Sequence, residues 1–161
     1  MELDIIEYEL DKETEEKLSQ TLKNLLSKTS ADMVILTDDA GRLIDAKGRV
    51  SKDYMGEFIS SLVSGIFGAA AEMSKMLNID ELDILAFEGK NMDVLIKAIK
   101  PRFLLGVLVK KSVAIGSVRL FLREASSELE SVLSNLHTVP SKVIKLDVET
   151  IERRLEQILG G

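Results

Sequence analysis

Residues 58–71 read FISSLVSGIFGAAA, with no charged residue, in a chain that is 30% charged. The surrounding pattern predicts a helix over 53–77. A surface helix ordinarily carries one apolar face and one charged face. Projected at about 100° per residue, this one carries two dry stripes side by side. Met55, Ile59, Leu62, Val63, Ile66, Ala70, Met73 and Leu77 make the first, and they are expected to face the core. Phe58, Ser61, Gly65, Gly68, Ala69, Glu72 and Met76 make the second, small in its middle and larger at its ends. Two glycines inside a helix cost about 1 kcal/mol each relative to alanine. A sequence carries that cost where another backbone comes close. Either the first helix or the C-terminal tail covers the second stripe, or another polypeptide does.

The rest of the chain alternates short strands with helices. Residues 11–29 place Leu18, Leu22, Leu25 and Leu26 at helical spacing, acids first and lysines last, an order that suits the helix dipole. Strands follow at 33–37 and 42–46, joined by the turn DDAG, which predicts a hairpin. After the long helix come the apolar runs LDILAFE, MDVLIKAI and FLLGVLV, separated by EGKN and KPR. Closely spaced strands with short turns predict an antiparallel meander. Ser112 is expected to cap a last long helix reaching about Leu136, with Ile115, Val118, Leu122, Ala125, Leu129, Val132 and Leu136 on one stripe. Residues 138–147 read as a linker. The tail DVETIERRLEQILGG puts Val148, Ile151, Leu155 and Ile158 on one face of a short helix, with Asp147 and Gly160 at its ends. The expected fold is α+β: a five-stranded antiparallel sheet with helices packed on it, in the order α-β-β-α-β-β-β-α, plus a C-terminal helix. The expected division is a domain over 1–137, a linker over 138–147 and an amphipathic helix over 148–161.

Composition excludes several classes of function. The net charge is −6 and the pI about 5.0, without the basic footprint that nucleic acid requires. No apolar run reaches the length of a membrane span, so no membrane insertion is expected. The acidic start MELDIIEYEL is unlike a secretory signal. Cysteine is absent, which fits a reducing, cytoplasmic setting and removes thiolate metal sites.

Catalytic chemistry is also missing. There is no G-x-x-x-x-G-K-[ST] loop, no G-x-G-x-x-G after a strand and no G-x-S-x-G elbow. The single histidine, His137, reads as solvated surface. Asp38 and Asp39 read as turn formers. Arg119 and Arg123 read as a solvated helix face, and Lys110 and Lys111 as gatekeepers at a strand end. No catalytic residue, metal or cofactor is expected. The chain reads as a protein that works by contact.

VILTDDAGRLIDAKG resembles the opening hairpin of the roadblock / dynein light chain family: a strand, a D-x-x-G turn, a strand, and a small residue before glycine. SLVSGIFGAAAEMSKMLN resembles the family's long central helix. FEGKNMDVLIKAI and FLLGVLVKKSVAIGSVRLFLREASSELESVL resemble its meander and last helix, with Gly116 three residues before Arg119. The resemblance covers roughly residues 3–136. The tail is similar to that of MglB-type bacterial members.

The resemblance implies a dimer, with the long helices of two protomers side by side and the third strands able to pair into one continuous sheet. MglB-type members bind a Ras-like small GTPase in its GTP form on the surface those helices build. They stimulate hydrolysis by rearranging the GTPase's own catalytic residues and help set cell polarity. The implied partners are therefore a second copy of this chain and an MglA-type GTPase, two chains per GTPase. Phe58, Ser61, Gly65, Gly68, Ala69, Glu72 and Met76 are the expected contact residues. Val148, Ile151, Leu155 and Ile158 are the expected docking face of the tail. Other family members are scaffolds indifferent to nucleotide, and a small-ligand sensor is a third class.

Overall fold

The element order expected from the sequence is the order found, with four short strands added at the chain ends. The computed structural model describes residues 2–3, 6–49, 54–140, 144–145 and 148–160, with side chains described over 8–49, 55–136 and 152–160. The elements are β1 (Glu2–Leu3), β2 (Ile6–Glu9), α1 (Lys12–Thr29), β3 (Met33–Asp38), β4 (Leu43–Gly48), α2 (Tyr54–Met76), β5 (Ile84–Glu88), β6 (Met92–Ile99), β7 (Phe103–Lys110), α3 (Ile115–Leu133), β8 (His137–Pro140), β9 (Ile144–Lys145) and α4 (Val148–Leu159). They divide into two compact units, Asp11–Asn135 and a second made of Met1–Leu10 with Leu136–Gly161.

In the first unit, five strands form one antiparallel sheet in the order β4-β3-β7-β6-β5. The strand β3 is buried along its whole length. It is therefore covered on both faces, which accounts for the continuous apolar run MVIL. Met33, Ile35, Ile96 and Leu104 point to one face, where they pack with Val63 and Phe67 of α2. Side chains alternate along a strand, so Val34, Leu36, Leu95 and Leu105 point to the opposite face. There α1 and α3 lie against each other and against the sheet. The result is three layers: α2, the sheet, and the α1–α3 pair. On β7, Gly106 leaves room for Ile35, whose Cγ2 stands 3.1 Å from where a Cβ would be.

The helix ends follow local chemistry. Asp11 caps α1 by accepting the Thr14 amide at 2.7 Å. That backbone hydrogen bond is the largest cause holding the Asp11 carboxyl below its usual range. Ser30, at φ 50°, closes the other end in the left-handed conformation. For α3 the expected cap is not the one found. Ala114, not Ser112, is the N-cap, and no side chain caps it. The Val113 amide donates to Lys110 O at 3.0 Å, so residues 110–113 are held in a turn and the helix starts beyond it.

The second unit pairs the two ends of the chain. β1 runs antiparallel to β9, and β2 to β8. The stretch read as a linker thus carries strand structure at its start and again at Ile144–Lys145. Pro140 suggested an irregular segment. It sits at the last position of β8, opposite Ile6, where a missing amide is tolerated. The helix read at the C-terminus is present as α4.

Candidate functional site

The outward face of α2 is where the observations converge, and hydroxyl groups decide which face that is. Thr37 is the last but one residue of the buried strand β3. Ser60 Oγ donates to Thr37 Oγ1 at 2.5 Å and also lies 2.9 Å from the Gly41 carbonyl. Ser64 Oγ donates to the Asp39 carbonyl at 2.6 Å. The turn they grip is built by Asp38, whose carboxylate accepts the amides of Ala40 and Arg42 at 3.0 and 2.8 Å. Gly41 completes it at φ +86°, a left-handed conformation that favours glycine. A Cβ there would stand 3.0 Å from Ser61 Cα, so the helix backbone lies directly on the turn.

This grip turns α2 away from the orientation its hydrophobicity suggests. The buried line is Gly56, Ser60, Val63, Phe67 and Ser74. Of the expected core stripe, only Val63 is buried, and Ile59 and Ala70 are half-buried. Met55, Leu62, Ile66, Met73 and Leu77 are exposed, with Leu62 at 51% and Met73 at 59%. The correction is a rotation of roughly 80° about the helix axis at 100° per residue. Averaged hydrophobicity misses it because serines and a glycine occupy the buried line. The hydroxyls find carbonyl and hydroxyl partners there, so their burial is compensated. The signal was present as the spacing of Gly56, Ser60, Ser64 and Ser74, small residues on adjoining helical positions.

The seven expected contact residues, Phe58, Ser61, Gly65, Gly68, Ala69, Glu72 and Met76, are all exposed. A Cβ added at Gly65 or Gly68 would meet nothing within 4 Å among the described residues of this unit, so its packing requires neither glycine. Helix α1 packs on α3, β3 and β4, and does not cover this face. The residues divide by position. Phe58, Gly65, Ala69 and Met76 adjoin the exposed Met55, Leu62, Ile66 and Met73 in one apolar stripe. Ser61, Gly68 and Glu72 lie along its polar flank. Gly68 and Glu72 also border a cleft of about 410 Å³, floored by Phe67 and Leu104 and rimmed by Lys100 and Pro101 of the β6–β7 turn.

Two charged clusters elsewhere are tied into the fold. Arg123 Nη1 lies 3.0 Å from Asp83 Oδ2, and Lys97 Nζ lies 2.6 Å from Asp83 Oδ1. The Lys97 hydrogen bond is the largest cause holding the Asp83 carboxyl below its usual value of 3.8. Arg123, read as solvated, is thus engaged across to the start of the meander. Lys111, read as a gatekeeper, reaches the buried Asp93 at 2.6 Å and Glu88 at 3.4 Å. Among the described residues, no group of three or more His, Cys, Asp or Glu side chains is placed to hold a metal ion. No helix there is long and apolar enough to cross a membrane. Of the tail face, Leu155 and Ile158 are exposed, while the Val148 and Ile151 side chains lie outside the described residues.

Comparison with known proteins agrees with this architecture. The family model of the Roadblock/LC7 domain matches residues 17–109. An uncharacterized protein of Aquifex aeolicus (strain VF5) is 39% identical over 162 residues, covering 100% of both chains. The solved Myxococcus xanthus MglB superposes with a TM-score of 0.69 at 24% identity, over 73% of this chain and 95% of that one. The gliding protein MglB from Thermus thermophilus gives a TM-score of 0.69 at 22% identity, over 76% and 93%. At those identities the two structures speak for the fold. With its five-stranded sheet, its long central helix and the family match across both, the chain belongs to the Roadblock/LC7 domain family.

Proposed function

We propose that this protein is a homodimeric regulator that binds a Ras-like small GTPase of the MglA type and stimulates its GTP hydrolysis, in control of cell polarity or motility. It has no active site of its own in this reading. One observation carries it. The exposed apolar stripe of α2 maps onto itself when the helix is reversed about the point between Gly65 and Ile66. Met55 then falls opposite Met76, Phe58 opposite Met73, and Leu62 opposite Ala69. A two-fold dimer requires a self-complementary patch of this kind. An apolar stripe without charge along a whole helix is what an interaction site looks like. The exposed Gly65 lets the helices cross closely at its centre.

In this arrangement Ser61, Gly68 and Glu72 of both protomers flank the paired helices and offer the GTPase a surface that two chains share. The tail face of Val148, Ile151, Leu155 and Ile158 docks on the same assembly. The MglB likeness of the fold supports the choice of partner.

The test is GTP hydrolysis by an MglA-type GTPase, titrated with this protein and with Gly68→Arg. Stimulation that saturates near two chains per GTPase, and is lost in the variant, is the expected result. A flat titration with a dimer confirmed by light scattering would transfer the reading to a nucleotide-indifferent scaffold.

A further inference from the structure

The five-stranded sheet has two outer strands, β4 and β5. Opposed residues in an antiparallel pair alternate between exchanging both backbone hydrogen bonds and exchanging neither. The Arg49 amide donates to Asp32 O at 2.8 Å, so Asp32 and Arg49 are a bonded pair. Followed along the register, Val34–Lys47 and Leu36–Asp45 are bonded pairs as well, and Ile35–Ala46 is not. The Ala46 amide therefore points away from β3, along the outer edge of the sheet. On β5 the Gly89 amide donates to Met92 O at 2.8 Å and the Ala98 amide to Asp83 O at 2.9 Å. The same alternation turns the amides of Ile84, Ala86 and Glu88 outward.

The two edges are finished differently. Asp45 lies directly opposite Leu36, on the α1 side of the sheet, and is buried. Its carboxylate reaches round to the edge, where Oδ1 accepts the outward Ala46 amide at 2.8 Å. Lys47 Nζ stands 3.6 Å from the same oxygen and offsets the charge. The strand is irregular on both sides of this bond. The register shifts between Leu36 and Thr37, and Gly48 leaves the extended conformation at φ +92°. By contrast, the register of β5 is unbroken from Ile84 to Glu88, and among the described residues no side chain takes its outward amides. An unpaired edge is a template for another strand, and bulges and charged side chains turned onto it close it. We propose that Asp45 seals β4 against strand addition by a second copy of this chain, so that the sheet can be widened only at β5. An arriving strand would have to strip the carboxylate from the Ala46 amide and leave that buried acid short of a donor, which costs more than the new bond returns. The seal depends neither on pairing of α2 nor on a GTPase.

Amide hydrogen exchange and sedimentation across a concentration series test this on the full chain, as wild type, Asp45→Asn and Asp45→Val. In the wild type the Ala46 amide, although on an outer strand, should exchange slowly, like the Leu36 amide inside the ladder. Asp45→Asn keeps an oxygen acceptor and should match the wild type in both measurements. Asp45→Val suits a strand but has no acceptor. In dilute Asp45→Val the Ala46 amide should exchange about tenfold faster, the effect of one net hydrogen bond. Species heavier than the wild-type one should then appear and grow with concentration, with the Ala46 amide protected again because a strand has taken it. A wild-type Ala46 amide that exchanges as fast as an unstructured one overturns the seal, whether or not the variants fold. Equal masses for wild type and Asp45→Val at every concentration overturn it as well. So do heavier species in which the Ala46 amide stays exposed, since no strand has been added at β4. Assembly of Asp45→Asn to the same extent as Asp45→Val would overturn the hydrogen bond as the seal.

Discussion

Ser60 and Thr37 hold their hydroxyl oxygens 2.5 Å apart, on a helix and a strand that are 23 residues apart in sequence. Both are fully buried. Together with the Ser60 hydrogen bond to Gly41, this pair fixes the rotation of α2 and so decides which residues face outward. Ser60→Ala removes both bonds and leaves the Gly41 carbonyl without this donor. The expected loss is about 1–2 kcal/mol of folding stability. It should read as a lower denaturant midpoint with an unchanged slope, since the surface exposed on unfolding is the same. An unchanged midpoint would mean that apolar packing alone orients the helix.

Gly65 separates the stability of a chain from the stability of an assembly. A Cβ there has open space in the single chain, so Gly65→Ala should raise helix stability by about 0.5–1 kcal/mol. The same methyl group would stand where two helices cross, so association should weaken. Thermal unfolding of dilute protein, paired with sedimentation across a concentration series, reads the two effects separately. A variant that melts higher and associates more tightly would remove Gly65 from the contact.

Lys111 joins two acids that the strand register sets directly opposite each other, Glu88 on β5 and Asp93 on β6. Like charges opposed across strands repel, and Asp93 is buried. Lys111→Met should therefore lower the melting midpoint clearly more than Lys110→Met, the neighbouring control. The hydrogen bond to Asp93 is the largest cause raising the Lys111 ammonium above its usual value of 10.5. A raised base contributes stability that is fully present below its unfolded value and is lost as pH climbs through the folded one. The gap between wild type and Lys111→Met should therefore persist at neutral pH and narrow above pH 10.5. A gap that does not narrow there would mean the methylene stem, and not the charge, does the stabilising.

Asp83 gives the opposite limb. Its carboxyl is lowered, first by the Lys97 hydrogen bond. A lowered acid contributes stability above its unfolded value and loses it as pH falls through the folded one. Asp83→Asn should therefore be less stable than wild type at neutral pH and approach it below pH 3.8, measured by urea midpoint against pH. Parallel curves would show that the asparagine keeps the interaction.

The order of elements along the chain and the hairpin turn were legible because they rest on local signals. Asp38 and Gly41 form the turn through bonds and dihedrals within a few residues, and Leu18, Leu22 and Leu25 form a stripe that stays buried. Two features were not legible. The rotation of α2 depends on hydroxyls such as Ser60 meeting acceptors on a distant hairpin, which no periodicity encodes. The pairing of β2 with β8 is long-range, between runs too short to announce themselves. The outward stripe was half seen. Phe58, Gly65, Ala69 and Met76 were placed outside, while Leu62, Ile66 and Met73 were assigned to a core they do not enter.

The absence of cysteine makes the register of the proposed dimer directly measurable. If reversal of α2 about the point between Gly65 and Ile66 relates the two copies, Leu62 faces Ala69 of the partner subunit, and the dimer contains this pair twice. Leu62→Cys with Ala69→Cys in one chain should therefore form a covalent dimer under mild oxidation, seen as a doubled mass on non-reducing electrophoresis. Each single variant is the control. By itself, neither cysteine meets its own copy in this register, so each should cross-link far more slowly than the double variant. A parallel arrangement of the helices predicts the reverse, because each cysteine would then lie opposite itself. Efficient cross-linking of the single variants would keep the dimer but discard the antiparallel register. No cross-linking in any of the three, with light scattering reporting a monomer, would remove the homodimer and leave the exposed stripe to a different partner chain.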